Sequence, residues 1–226
     1  MKRLVFLLLT LGLAASLFAQ NQFQYQPVSG TWREVGNRVY QNDAKAPLAK
    51  ATIRAPQSGP MAYEFNVRYE DGIEDGHGGF GIHIYGDSVS NRASWGSGNS
   101  YLLWLNFDEN PTTPGIRNGN PKNLTIYKGL SAQVYKSYSN SYMELLESIN
   151  LDDLTYQFSL DDLKYPVPFK IEVNGNTGEV RVYDPMDPQL IDYYYFFIDK
   201  KFVPLKGNWV TVRTNSLSLS FQPGLY

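Results

Sequence analysis

The feature that most constrains this chain is the alternation of apolar and polar side chains. In Tyr63-Glu64-Phe65-Asn66-Val67-Arg68-Tyr69 the apolar residues fall on one parity and the polar ones on the other. The same holds for Phe169-Lys170-Ile171-Glu172-Val173-Asn174, for Leu217-Ser218-Leu219-Ser220-Phe221, for Phe80-Gly81-Ile82-His83-Ile84-Tyr85 and for Val180-Arg181-Val182. A β-strand sends successive side chains to opposite faces, so each segment reads as a strand with one face buried. Tyr101-Leu102-Leu103-Trp104-Leu105-Asn106-Phe107 is apolar on both parities, which predicts a central strand covered on each side or one carrying a binding platform. Gly36-Asn37 and Asn174-Gly175-Asn176-Thr177-Gly178 are hairpin signals between such runs.

Thirteen prolines and nineteen glycines punctuate these segments, as in a sandwich or barrel. Tyr142–Ile149 admits either a short amphipathic turn or a strand, and Tyr193-Tyr194-Tyr195-Phe196-Phe197 is expected to fill a strand between two layers, with a partner-binding surface as the alternative. Asp108–Asn120 and Asp184–Pro188 are the long loops. No linker or repeat divides the chain, so residues 20–226 are expected to form a single β-sandwich domain.

Residues 1–19 have the parts of a cleavable secretory signal: Lys2 and Arg3, an apolar run from Leu4 to Leu13, and small residues up to Ala19. The run is shorter than the roughly 20 residues that span a bilayer. An exported protein, periplasmic or extracellular, is therefore expected, with no membrane span after signal removal. Cleavage takes away two bases and no acid, leaving 18 Lys+Arg against 22 Asp+Glu. That balance does not favour nucleic acid, which needs a basic face. The chain has no cysteine, which excludes disulfide staples, thiol catalysis and a lipid-anchoring cysteine. An outer-membrane barrel would share the alternation, but its strands need about 9–11 residues, and Pro223 interrupts the last segment here.

The order of segments resembles the concanavalin A-like lectin/glucanase superfamily, including laminin-G-like modules. The residues that carry the likeness are Gly79–Ile84, Tyr101–Phe107, Phe169–Tyr183 with its Asn-Gly hairpin, and Gly207-Asn208-Trp209-Val210-Thr211-Val212-Arg213-Thr214-Asn215-Ser216 leading into Leu217–Phe221. Over roughly residues 30–222 the resemblance implies an all-β, two-sheet antiparallel jelly-roll sandwich. It does not fix function, since this fold hosts lectins, hydrolases, lyases and adhesive modules.

Candidate chemistry is sparse. A retaining glycosidase needs two carboxyl groups about 5–5.5 Å apart, and the Glu-x-Asp-x-(x)-Glu strand of the superfamily's glucanases has no counterpart here. Glu179 and Asp184 are an odd number of residues apart and would face opposite ways. Gly96-Ser97-Gly98 lacks the spacing of a nucleophile elbow. Asp71, Glu74 and Asp75 offer hard oxygen ligands that suit calcium, but a solvated acidic turn between strands is the leading reading. Two histidines and no cysteine make a zinc site improbable. For a sugar, an aromatic ring stacks on the apolar pyranose face while polar tips meet hydroxyls. Trp95, in Ser94-Trp95-Gly96-Ser97-Gly98-Asn99, either contacts a ligand or folds back over the sandwich edge. Parity places His83, Tyr85, Trp104 and Asn106 together on the outer side of a sheet whose core residues are Phe80, Ile82 and Ile84; in the alternative, Trp104 is core. The expected function is a non-catalytic module for carbohydrate or a cell-envelope component. Its alternatives are a structural envelope protein working through protein contacts and a polysaccharide hydrolase or lyase.

Overall fold

The computed structural model describes residues 25–72, 78–89, 91–107, 119–151, 161–187, 189, 191–198 and 204–225. Residues 1–19, expected to be a signal, lie outside them, as do Glu74, Asp75 and most of the Asp108–Asn120 loop.

The alternating segments assemble into two seven-stranded sheets. One sheet has the spatial order β1 (Gln26–Ser29), β4 (Ala49–Ser58), β13 (Lys206–Asn215), β6 (Gly79–Gly86), β7 (Ser100–Asn106), β8 (Ser131–Ser137) and β9 (Met143–Asn150). The other has the order β12 (Tyr193–Phe197), β11 (Glu179–Tyr183), β10 (Val167–Asn174), β5 (Pro60–Gly72), β14 (Leu217–Leu225), β3 (Arg38–Gln41) and β2 (Trp32–Val35). Neighbouring strands pair antiparallel throughout. This is the two-sheet jelly-roll sandwich that the resemblance implies, not one closed barrel, although β5 runs to 13 residues. Both hairpin signals fall where expected, Gly36-Asn37 between β2 and β3 and Asn174–Gly178 between β10 and β11.

The core is the inner parity of both sheets. Tyr63, Phe65 and Val67 of β5 face Phe80, Ile82 and Ile84 of β6, with Val210 and Val212 of β13 and Leu217, Leu219 and Phe221 of β14. Phe221 is its hub: Tyr25, Phe65 and Phe80 lie with ring centroids 5.8, 5.7 and 5.7 Å from it, two of the three pairs edge-to-face. Such pairs add about 0.5–1.5 kcal/mol each beyond the area they bury. Asp162–Lys164 forms a single 3₁₀ turn.

Two local expectations resolve differently from one another. Tyr142–Ile149 is a strand, because pairing with β8 buries Leu145 and Ile149, which no isolated turn could do. Tyr193–Phe197, expected between layers, is an outermost strand. Its Phe196 is buried, but Tyr193, Tyr194, Tyr195 and Phe197 are exposed.

Candidate functional site

The outer face of the first sheet holds an unusual set of side chains. One row across the strands reads Lys50, Arg213, Gly81, Trp104, Gln133 and Ser148. The flanking rows contribute Thr52, Thr211, His83 and Leu102 on one side and Asn215, Gly79, Asn106 and Ser131 on the other. His83, Trp104 and Asn106 thus share one face, as their parity placed them, but all three are buried rather than presented as an open platform.

Tyr85 leaves this face altogether. Between the pairs Trp209↔Gly86 and Thr211↔His83, β13 has one residue where β6 has two. The extra residue is a β-bulge, and Tyr85 carries a positive φ of 51° within it. Its ring therefore turns into the core, its N–H donates to Gln57 Oε1 and its hydroxyl donates to Gly59 O.

The cover over the rest of the face comes from the 87–99 segment. Lys50 Nζ donates to Gly96 O at 2.6 Å and to Ser94 Oγ at 3.2 Å, and Arg213 Nη1 donates to Trp95 O at 2.6 Å. Asn140 fixes the segment from the other side, accepting from Gly96 N and, through its side chain, from Gly98 N. Gly96 is required at this crossing, since a Cβ there would sit 1.9 Å from Ser139 O.

At the centre lies a three-layer stack. The Arg213 guanidinium carbon is 4.9 Å from the Trp95 ring centroid and 5.0 Å from that of Trp104. Trp104 has room to lie there because Gly79 and Gly81 lack side chains: a Cβ on Gly79 would come within 2.2 Å of its ring. Trp104 is 7% exposed and Trp95 57%, so the stack runs from the sheet to solvent. Arg213 is 1% exposed, and among the described residues no carboxylate pairs with it or with Lys50. Burial lowers Arg213 to about 10, and burial with the Arg213 charge lowers Lys50 to about 7. Burial, with the same two cations, holds His83 well below its usual range and therefore neutral.

Around the stack, His83 Nδ1 meets Ser100 Oγ at 3.0 Å, and that hydroxyl donates to Ser97 O. His83 Nε2, Gln133 Nε2 and Ser131 Oγ are buried and have no hydrogen-bond partner among the described residues. Beside Trp95, the hairpin between β8 and β9 exposes Tyr138 and Tyr142, stacked at 5.5 Å and 26°. Sequence reasoning missed both, and missed Lys50 and Arg213. For the tyrosines a signal existed, aromatic residues set in the polar turn Ser137–Tyr142, the same signal that singles out Trp95.

The other candidate chemistry resolves into structural roles. Asp71 is exposed at the end of β5, where it accepts from Gly72 N. Glu179 lies 2.6 Å from Arg181, whereas Asp184, just past the opposite end of β11, accepts from Met186 N. The fold instead brings Glu172 and Glu179 to the two sides of Arg181, by a groove of about 390 Å3 on the outer face of the second sheet. Burial pulls the Glu172 carboxyl up, but bonds from Lys170 and Tyr183 and the Arg181 charge outweigh it and hold it below its ordinary value. A general acid needs the opposite shift.

No protein family matches the sequence, and no curated protein is similar to it at the sequence level. Solved structures do match. The carbohydrate binding module CBM66 from Bacillus subtilis is 12% identical with a TM-score of 0.51, over 89% of this chain and 94% of that one. The carbohydrate recognition domain of Emp46p, in its potassium-bound form, is 12% identical with a TM-score of 0.53, over 91% and 88%. A legume lectin-like domain from Entamoeba histolytica is 11% identical with a TM-score of 0.50, over 91% and 89%. The fold is that of the concanavalin A-like sandwiches.

Proposed function

We propose that this chain is an exported, non-catalytic module that binds carbohydrate, with Trp95 as the contact ring. The observation that carries this reading is the Trp95–Arg213–Trp104 stack. A large aromatic ring left more than half exposed gives up burial energy on the order of 1 kcal/mol or more. Here its inner face is held by a buried guanidinium, so the outer face is oriented before any ligand arrives, and binding loses little entropy in ordering it. A rigid, half-exposed ring suits stacking on the apolar face of a pyranose, and Tyr138 and Tyr142 continue the aromatic surface on the adjoining hairpin. The solved structures of the same fold that are named for carbohydrate binding support the reading, and the signal-like residues 1–19 support export.

The test is a glycan array followed by calorimetry on the chain lacking residues 1–19. Binding is expected for at least one glycan class and is expected to fall by tenfold or more, about 1.4 kcal/mol, in Trp95→Ala while the circular dichroism spectrum is retained. Binding that is unchanged in Trp95→Ala would remove this ring from the site, and silence across the array would end the carbohydrate reading.

A further inference from the structure

Each sheet has two outer edges, and three of the four carry devices that prevent pairing with another chain. Strand β1 is four residues long, contains Pro27 and is broken by a register shift. Strand β2 is equally short and exposes Arg33 and Glu34. Strand β9 bears Glu144 and Glu147 and is covered: Leu145 N donates to Gly119 O, Lys122 Nζ donates to Leu146 O and Ser148 Oγ donates to Thr125 O. Short length, proline, bulges, charge and a covering loop are the usual ways of blunting an edge. The fourth edge, β12, is one residue longer than β1 and β2, has no register shift against β11, and is not covered by any described residue. It is Tyr-Tyr-Tyr-Phe-Phe, with no charge and no proline, and no described residue pairs with its outer side.

We propose that β12 pairs antiparallel with β12 of a second copy of this chain, about a two-fold axis at Tyr195. This goes beyond the carbohydrate reading and does not depend on it. The strand is complementary to itself. With the axis at Tyr195, Tyr193 lies opposite Phe197 of the second copy, Tyr194 opposite Phe196, and Tyr195 opposite itself. All these are aromatic cross-strand pairs, which are stabilising, and no charge meets its like. Among the described residues the nearest cation in the sheet, Arg181, sits one strand inward, opposite Tyr195. Across the dimer the two Arg181 positions are three strand spacings apart, about 14 Å, beyond the ~8 Å screening length at physiological salt.

The exposed surface at this edge is mostly apolar. Tyr193, Tyr194, Tyr195 and Phe197 are 42, 38, 47 and 50% exposed, and Ile191 and Met186, at 62 and 46%, precede them. Rings of about 150–250 Å2 exposed to that degree supply on the order of 350 Å2 per protomer. The two aliphatic side chains and the newly paired backbone carry this toward the ~800 Å2 per partner of a standard interface. The rings are already ordered against one another, Tyr195 and Phe197 at 5.3 Å and Tyr183 and Tyr193 at 5.4 Å, so association freezes few rotors.

Sedimentation equilibrium of the chain lacking residues 1–19 is expected to show a monomer–dimer equilibrium that Tyr195→Lys and, separately, Phe197→Lys shift to monomer without loss of the β-sheet spectrum. Because the chain has no cysteine, disulfide trapping reads the register directly. Tyr195→Cys is expected to cross-link to itself under mild oxidation. Tyr193→Cys is expected to cross-link with Phe197→Cys in a mixture and to do so far less with itself. A chain that stays monomeric, a dimer untouched by both lysine variants, or self-linking by Tyr193→Cys equal to that of Tyr195→Cys would each overturn the proposal. Glycan binding retained by a monomeric Tyr195→Lys keeps the two readings separable, since β12 and Trp95 belong to different sheets.

Discussion

At the scale of the residue, Lys50 is the most informative side chain. It is fully buried, faces Arg213 and, among the described residues, donates to Ser94 and Gly96. Burial first, and the Arg213 charge second, lower it from 10.5 to about 7. From pH 7 to about 10.5 the unfolded chain therefore holds a proton at this position that the folded chain has released, so stability rises with pH across that window. His83 acts in the same sense at lower pH. Its folded form stays neutral while the unfolded form takes a proton below about 6.5, so stability falls there. Denaturant titrations from pH 7 to 10 are expected to show stability climbing by at most ~1.4 kcal/mol per pH unit. Lys50→Met is expected to flatten that climb and to raise stability near pH 7. An identical slope in the variant would show that Lys50 is not the titrating group. Above about pH 10 Tyr25 and Tyr63 act in the opposite sense, because burial raises them above their ordinary value and the folded chain keeps protons that the unfolded chain loses, while Arg213, lowered to about 10, still favours the folded state as pH rises.

At the scale of the element, β14 bears most on stability and β12 on assembly. Strand β14 lies between β5 and β3 and carries Phe221, which is fully buried among the rings of Tyr25, Trp32, Phe65 and Phe80. Phe221→Ala is expected to cost about 3–5 kcal/mol, a large share of a typical 5–15 kcal/mol total. An equilibrium urea titration checks it, and a loss below 1 kcal/mol would mean that the cluster collapses to fill the gap. Pairing parity within these elements was legible: Phe80, Ile82 and Ile84 point inward and His83, Trp104 and Asn106 outward, as their spacing predicts. The slot for Trp104 was legible too, since Gly79 and Gly81 are two residues apart and so share a face. Tyr85 was not, because a bulge one residue before the end of β6 is set by the register of β13, which is more than 120 residues away in sequence. For β12, composition alone places an all-aromatic strand inside; its outer position follows from strand order, which only non-local pairing decides.

At the scale of the whole molecule, the sequence carried the architecture and little of the site. Alternation specifies faces, and the two hairpin signals specify neighbours, which together leave few topologies for a chain of this length. The site depends on what covers a face. The 94–98 segment is polar and glycine-rich, and nothing in its pattern says that it folds back to accept hydrogen bonds from Lys50 and Arg213. Two cations with no acid beside them in sequence look like ordinary outward-facing strand residues until that cover is seen. Trp95 was legible because a tryptophan among glycines and serines has no periodic partner to bury it. Arg213 was not, because it sits in regular alternation with Val210 and Val212.

The stack also makes the molecule its own optical reporter. Trp95 alone among the four tryptophans is largely exposed; Trp104 is buried, and Trp32 and Trp209 are partly so. Acrylamide is thus expected to quench one red-edge component of the emission far more than the rest, and Trp95→Phe to delete that component. A sugar seated on the ring should shield the same component and shift it to shorter wavelength, so occupancy can be followed in an unlabelled sample; a ligand that binds without altering the quenching would have to sit elsewhere.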